Sequence, residues 1–380
     1  MTVAASIKAN QSGRSYVGYY PTWSDNWFSS VSWDGKPLTA DQILSASNLA
    51  KVPGTYTHVM LAFADPFFAF NGKDWNGTGI NFNAGPSDIA KAVAVLRARN
   101  IKVLLAVGGA TYNNWSALAA EGFAGNGPIT QALTNAINTL GLDGLDVDYE
   151  VEGTTPQVVS TYAGAIKAMS NAVKRANVPG LLTLAGWSTG MDCTAQAPCS
   201  EGTSFWAGSA GRERLVLTQY PELKTLINAV SIMSYDALGT AGPKQHYDPV
   251  KAWQQYRDFF PASTVVNIGL ENAREGWAGG LLVNNNSDAA LCASGGVTTI
   301  TDDQYGKTVN QPYSVVRTVG AVLANRPNSN PRDGAMLWQI LKPTDSTCAG
   351  AATPTSISRI LSPMLGLPLD VRTGNSAFAK

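Results

Sequence analysis

Charge is scarce in this chain. Only 14% of its 380 residues are charged, against about 25% in an average soluble domain, and 27 basic side chains balance 27 acidic ones. The balance excludes the basic stripe of a nucleic-acid-binding protein and the polybasic patch of one held on an anionic membrane. It leaves a neutral, polar partner as the compatible kind. Histidine is scarcer still. His58 and His246 are the whole supply, so a His-rich metal site or a Ser-His-Asp triad would need one of them, and neither metal nor cofactor is expected. His58 lies inside the apolar run YTHVMLAFA, where a packed, hydrogen-bonded core role is the expectation. Acid-base chemistry therefore falls to carboxylates.

Cysteine is limited to Cys193, Cys199, Cys292 and Cys348. The CTAQAPC spacing is too long for a CxxC redox motif and lacks the partner pairs of a zinc ribbon. Two local staples, Cys193 with Cys199 and Cys292 with Cys348, are the preferred reading and suit an oxidising compartment; four reduced, buried thiols are the alternative. No run of 18 apolar residues occurs, and MTVAASIKANQSG has no apolar core of an export signal. The expectation is a secreted monomer whose export signal is absent from this sequence.

What the chain does have is a repeated alternation. Short apolar runs stand at 15–20, 57–64, 101–109, 144–150, 181–187, 229–236, 264–270 and 334–340. Helix-period segments lie between them, among them 87–100, 129–140, 155–176, 312–325 and 353–365. Thr155 is placed to cap the third of these, with Pro156 at its first helical position. Near-continuous apolar strands alternating with helices indicate a parallel sheet covered on its outer face, and eight is the count that closes a (β/α)8 barrel, an α/β fold. A doubly wound open sheet is the other candidate, but no GxGxxG follows the first strand. The boundaries read as an N-terminal extension over 1–14, a barrel over 15–366 and a tail over 367–380. The long connection 271–311, rich in Gly, Asn and Thr, reads as a loop-built lobe over the barrel mouth.

One strand breaks the apolar rule. LDGLDVDYE, residues 142–150, carries Asp146, Asp148 and Glu150 at alternate positions, which puts them on one face of a strand. Leu145, Val147 and Tyr149 take the other face, toward the helices. Inward carboxyls are costly unless paired or hydrogen-bonded, and three so close cannot all ionise freely. Glu150 falls at the strand's C-terminal end, where barrels of this kind place their chemistry.

DGLDVDYE resembles the DGxDxDxE signature of the family 18 glycoside hydrolases, the chitinases. The resemblance runs along nearly the whole chain: GYY on the first strand, THVMLAFA on the second, AVGG on the third, MSYD on the sixth and the Trp of GAMLWQI on the eighth fall in the family's order. It implies a retaining hydrolysis of β-1,4 linkages between N-acetylglucosamine units of chitin and chitooligosaccharides. In that scheme Glu150 is the proton donor and later the base for water, Asp148 turns between Asp146 and Glu150 to hold the acetamido N–H, and the substrate's own carbonyl oxygen is the nucleophile, giving an oxazolinium ion.

By the same resemblance Tyr235 donates to that carbonyl, with Met233 and Asp236 beside it, and Trp338 floors the sugar that is cleaved. Phe63, Gly109 and Tyr19 belong to the binding set, and Trp23, Trp27, Trp187 and Trp277 are candidates for further subsites. One departure is visible. The family's strand-three motif is SxGG, whose Ser helps hold the innermost Asp, and here that residue is Ala106. Tyr19 matches the other usual partner of Asp146. Loss of one hydrogen bond to a buried acid is expected to alter the proton sharing between Asp146 and Asp148. Two alternatives stand beside the chitinase reading: an endo-β-N-acetylglucosaminidase acting on N-glycans, and a non-catalytic chitin-binding lectin, although such lectins usually lack the acid that Glu150 supplies.

Overall fold

The computed structural model describes residues 13–25, 31–32, 34–199, 206, 211–235, 237, 247–273, 300–302, 307–309, 315–324, 326–342 and 352–370. In chain order its strands are β1 (Tyr16–Pro21), β2 (His58–Ala64), β3 (Lys102–Gly108), β4 (Gly144–Asp148), β5 (Leu181–Gly186), β6 (Ala229–Ile232), β7 (Val265–Glu271), β8 (Ile300–Asp302), β9 (Lys307–Val309) and β10 (Gly334–Trp338). The helices are α1 (Ala40–Ala46), α2 (Pro86–Ala98), α3 (Ser116–Ala124), α4 (Pro128–Leu140), α5 (Pro156–Arg175), α6 (Arg212–Gln219), α7 (Pro249–Phe259), α8 (Val315–Leu323) and α9 (Pro354–Met364). Eight strands pair in parallel and close in the order β1-β10-β7-β6-β5-β4-β3-β2. The fold is the (β/α)8 barrel that the alternation predicts.

Period-two alternation divides the apolar residues into two cores. Val17, Tyr19, Met60, Ala62, Leu104, Ala106, Ala185 and Met336 pack inside the barrel. Their strand neighbours, such as Leu61, Leu105, Leu145, Val147 and Leu184, pack outward with helix residues including Leu133, Ile137, Tyr162 and Ile166. The helices start where the sequence stops them from starting earlier. The Thr155 hydroxyl accepts from the Val158 N–H ahead of Pro156, Asp248 caps α7 through Val250 N–H and Lys251 N–H, and Thr353 forms a reciprocal box with Ser356. Each such cap is worth about 1 kcal/mol.

Charged side chains brace the N-terminal end of the barrel. Asp143, just before β4, accepts from Val103 N–H and pairs with Lys102 and Arg97. Arg257 and Asp333 form a buried pair at 3.0 Å. His58 begins β2 with Nδ1 2.8 Å from the Thr57 hydroxyl, and desolvation pushes its pKa down to about 4. It is hydrogen-bonded and far from the opposite, C-terminal rim.

Two strands are shorter than their sequence patterns predict: β4 ends at Asp148 and β6 at Ile232. Glu150 and Tyr235 therefore stand on the loops that follow, where the backbone no longer has to alternate. Of the connection after β7, residues 274–299, 303–306 and 310–314 lie outside the described residues; the described part contains the antiparallel pair β8/β9. Residues 367–370 are tied to the barrel, with Thr55 Oγ1 donating to Pro368 O and Arg99 paired with Asp370 at 3.3 Å. Cys193 and Cys199 form a disulfide; Cys292, Cys348 and His246 fall outside the described residues. No helix among those residues is long and apolar enough to cross a membrane.

Candidate active site

The C-terminal ends of the strands open onto a cleft of about 430 Å³. Asp148 and Glu150 lie in its wall with Tyr19, Trp23, Phe63, Met233, Tyr235 and Trp338. Asp146 is one step deeper and fully buried. Alternation along β4 accounts for this: Asp146 and Asp148 point inward, while Leu145, Val147 and Tyr149 join the outer core.

Each oxygen of Asp146 receives one hydroxyl. Tyr19 Oη donates to Oδ2 at 2.7 Å, and Thr183 Oγ1 on β5 donates to Oδ1. Burial pushes the Asp146 pKa up to about 6, and the two donors pull it back toward the ordinary carboxylate range. Asp148 is driven well above that range by burial first, then by the charges of Glu150 and Asp146, with Arg212 acting in the opposite sense. Its Oδ1 is buried without a hydrogen-bond partner among the described residues. Such an atom is costly unless a group that enters the cleft completes it. Glu150, the outermost acid, is half-buried.

The two glycines of AVGG hold the rim of β3 against β4. Gly108 has φ +111° and a side chain there would meet Asp148 O at 2.0 Å, so only glycine admits this approach. Gly109, at φ +79°, donates its N–H to the same oxygen at 2.9 Å and leaves no room for a Cβ against the Phe63 ring. Gly109 itself is not in the cleft wall; it fixes two residues that are, Asp148 and Phe63.

Three rings make the aromatic side. Trp338 and Phe63 stack with centroids 5.5 Å apart at 20°, and Trp23, 48% exposed, stacks on Phe63 at 6.1 Å and 28°. Tyr19 meets Trp338 edge-on at 5.7 Å. Tyr235 has its hydroxyl 3.8 Å from Met336 Sδ beside Met233. Burial and the neighbouring acids raise the Tyr19 pKa well above the ordinary phenol value, so it remains a donor.

Trp187 is a correction. Its ring lies 5.0 Å from the Arg212 guanidinium, outside the cleft wall, and its backbone N–H donates to Glu213. β5 ends at Gly186, so the inward parity of Thr183 and Ala185 no longer governs residue 187. Asp236, Trp27 and Trp277 lie outside the described residues. Sequence reasoning missed Asn81, Thr111 and Tyr112, which line the cleft; Tyr112 Oη donates to Gly79 O at 3.2 Å and joins two loops of the wall. An aromatic on the loop that follows a barrel strand, here β3 ending at Gly108, was the available signal for Tyr112. For Asn81 it was only the length of the 65–85 connection.

A parallel barrel whose fourth strand ends in a row of acids, with an aromatic wall over them, is a site suited to sugar chemistry: carboxyls to move protons and flat rings to seat sugar faces. A family model places the chain more narrowly. It belongs to the glycosyl hydrolases family 18, matched over residues 15–295. Among solved structures, the Group IV chitinase of Ostrinia furnacalis is 18% identical, with 93% of this chain and 100% of that chain covered at a TM-score of 0.53. The GH18 chitinase ChiB from the chitin utilization locus of Flavobacterium johnsoniae is 17% identical, with 93% and 95% covered at 0.50. At these identities the likeness is one of fold.

Proposed function

We propose that this protein is a secreted chitinase that cleaves β-1,4 linkages between N-acetylglucosamine units by a retaining, substrate-assisted route. The observation that carries the reading is the incomplete hydrogen bonding of Asp148, a buried carboxyl that stands between Asp146 and Glu150 and faces the cleft. An acetamido N–H supplies the missing donor. Gripping that N–H turns the acetamido carbonyl oxygen toward the anomeric carbon.

The steps balance without a nucleophile from the chain. The carbonyl oxygen forms a bond to the anomeric carbon as the glycosidic C–O bond breaks, and Glu150 gives its proton to the departing oxygen. Positive charge is then spread over the oxazolinium ring and stabilised by the carboxyl row, while the Tyr235 hydroxyl donates to the acetamido oxygen. Water next attacks the anomeric carbon, Glu150 takes the water proton, and the ring reopens with retention. Trp338, Phe63 and Trp23 offer flat apolar faces to the C–H faces of successive sugars, and the chain's near-neutral charge suits an uncharged polymer.

Glu150→Gln tests the reading. The variant should bind N-acetylglucosamine oligomers and release no product. Wild-type protein that binds oligomers but releases nothing across a broad pH range would be a lectin, and release from glycoprotein alone would mark a glycan-core hydrolase.

A further inference from the structure

We propose that Thr183 is a positioning residue of the carboxyl row: with Tyr19 it keeps Asp146 in its ionised, two-acceptor form and so leaves the row's proton on Asp148. The proposal rests on the hydrolase reading above and deepens it. Thr183 is directly opposite Asp146 in the β4–β5 register and is 2% exposed. On the other flank Ala106 is opposite the same aspartate and has no hydroxyl to offer. The donor absent from β3 is thus supplied from β5.

Two hydroxyls donating to two oxygens match a carboxylate. A protonated Asp146 would point its own O–H at one donor and force that hydroxyl to turn round. Losing Thr183 Oγ1 makes protonation of Asp146 easier and draws the proton inward, away from Asp148. The ionisable groups within electrostatic reach are Tyr19 from β1, Asp148 and Glu150 from the same segment, Tyr162 from α5, Tyr235 after β6 and Arg212 from α6. β3 presents only apolar side chains there, Leu104 and Ala106. A Thr183→Val exchange leaves all of those groups in place and removes one donor at nearly constant volume.

The test compares wild type, Thr183→Val, Thr183→Ser and Ala106→Ser/Thr183→Val. Two quantities are read: the Asp146 midpoint from carboxyl ¹³C shifts, and the acid limb of the kcat profile on a chitooligosaccharide. A charge-assisted hydrogen bond is worth enough to move a midpoint by about one pH unit, so Thr183→Val should raise both by that amount and lower kcat near pH 6 with KM unchanged. Thr183→Ser keeps the wild-type limb, and Ala106→Ser restores it from the β3 side. An unmoved midpoint in Thr183→Val overturns the proposal. Wild type without chitooligosaccharide hydrolysis overturns the hydrolase reading instead, while the NMR midpoint still decides the role of Thr183. Thermal melting checks the fold, and Thr183→Ala carries the same test if the valine variant does not fold.

Discussion

Arg212 Nη1 donates a 2.8 Å hydrogen bond to the carbonyl oxygen of Val151, the residue after Glu150. The guanidinium is 1% exposed and lies 5.4, 5.2 and 5.0 Å from the ring centroids of Tyr149, Tyr162 and Trp187. Glu213, its ion-pair partner, also accepts the Trp187 backbone N–H at 3.1 Å. The start of α6 thereby clamps the loop that carries the outermost acid.

Arg212→Met should cost about 3–5 kcal/mol of stability, because it strands a buried Glu213 charge. Arg212→Met/Glu213→Gln should recover much of that in thermal or urea melts, yet keep a depressed kcat because Val151 is no longer held. Wild-type kcat in the folded double variant would refute the clamp.

Asp146 makes stability depend on pH in an unusual direction. Its folded midpoint of about 6 is above the ordinary 3.8, so between those values the folded protein holds a proton that the unfolded chain has released. Stability from this group therefore falls as pH rises, with a total penalty of about 3 kcal/mol above the folded midpoint. Asp146→Asn should melt above wild type at pH 7, and the gap should close toward pH 4. A gap that does not change with pH would contradict it.

Tyr235→Phe removes one donor to the developing charge on the acetamido oxygen. Losses for a single donor of this type run to about 10²–10³ in kcat, and oligomer binding should change far less. Equal losses in affinity and kcat would mean that Tyr235 acts in uniform binding.

The aromatic wall should separate by substrate length. Trp338→Ala should impair oligomers of every length. Trp23→Ala, at the exposed end of the stack, should raise KM for long oligomers by about tenfold, roughly 1.4 kcal/mol, and leave the shortest substrates alone. Isothermal titration on inactive Glu150→Gln variants measures the binding part directly.

Period-two logic read the barrel and the acid row well, because both follow from strand geometry that a sequence carries openly. Leu145, Val147 and Tyr149 pack outward as that logic requires. It failed where strands end: Trp187 left the cleft wall one residue after β5 stopped, and Glu150 and Tyr235 stand beyond their strands. Long-range pairings were illegible for another reason. Thr183 is an ordinary strand residue until β5 is registered against β4, and Arg212 meets Val151 across 61 positions of sequence. Ala106 leaves Asp146 without a donor from β3, and the hydroxyl that replaces it comes from β5, a flank of β4 that only the strand register identifies.

The Tyr19 to Asp146 bond spans the bore of the barrel, since β2 and β3 lie between β1 and β4 in the strand order. In a flat sheet those two side chains would be several strand spacings apart, about 4.8 Å for each, far beyond hydrogen-bond reach. The bond is therefore a gauge of curvature: it can form only once the sheet has curled far enough to bring the inner faces of β1 and β4 together.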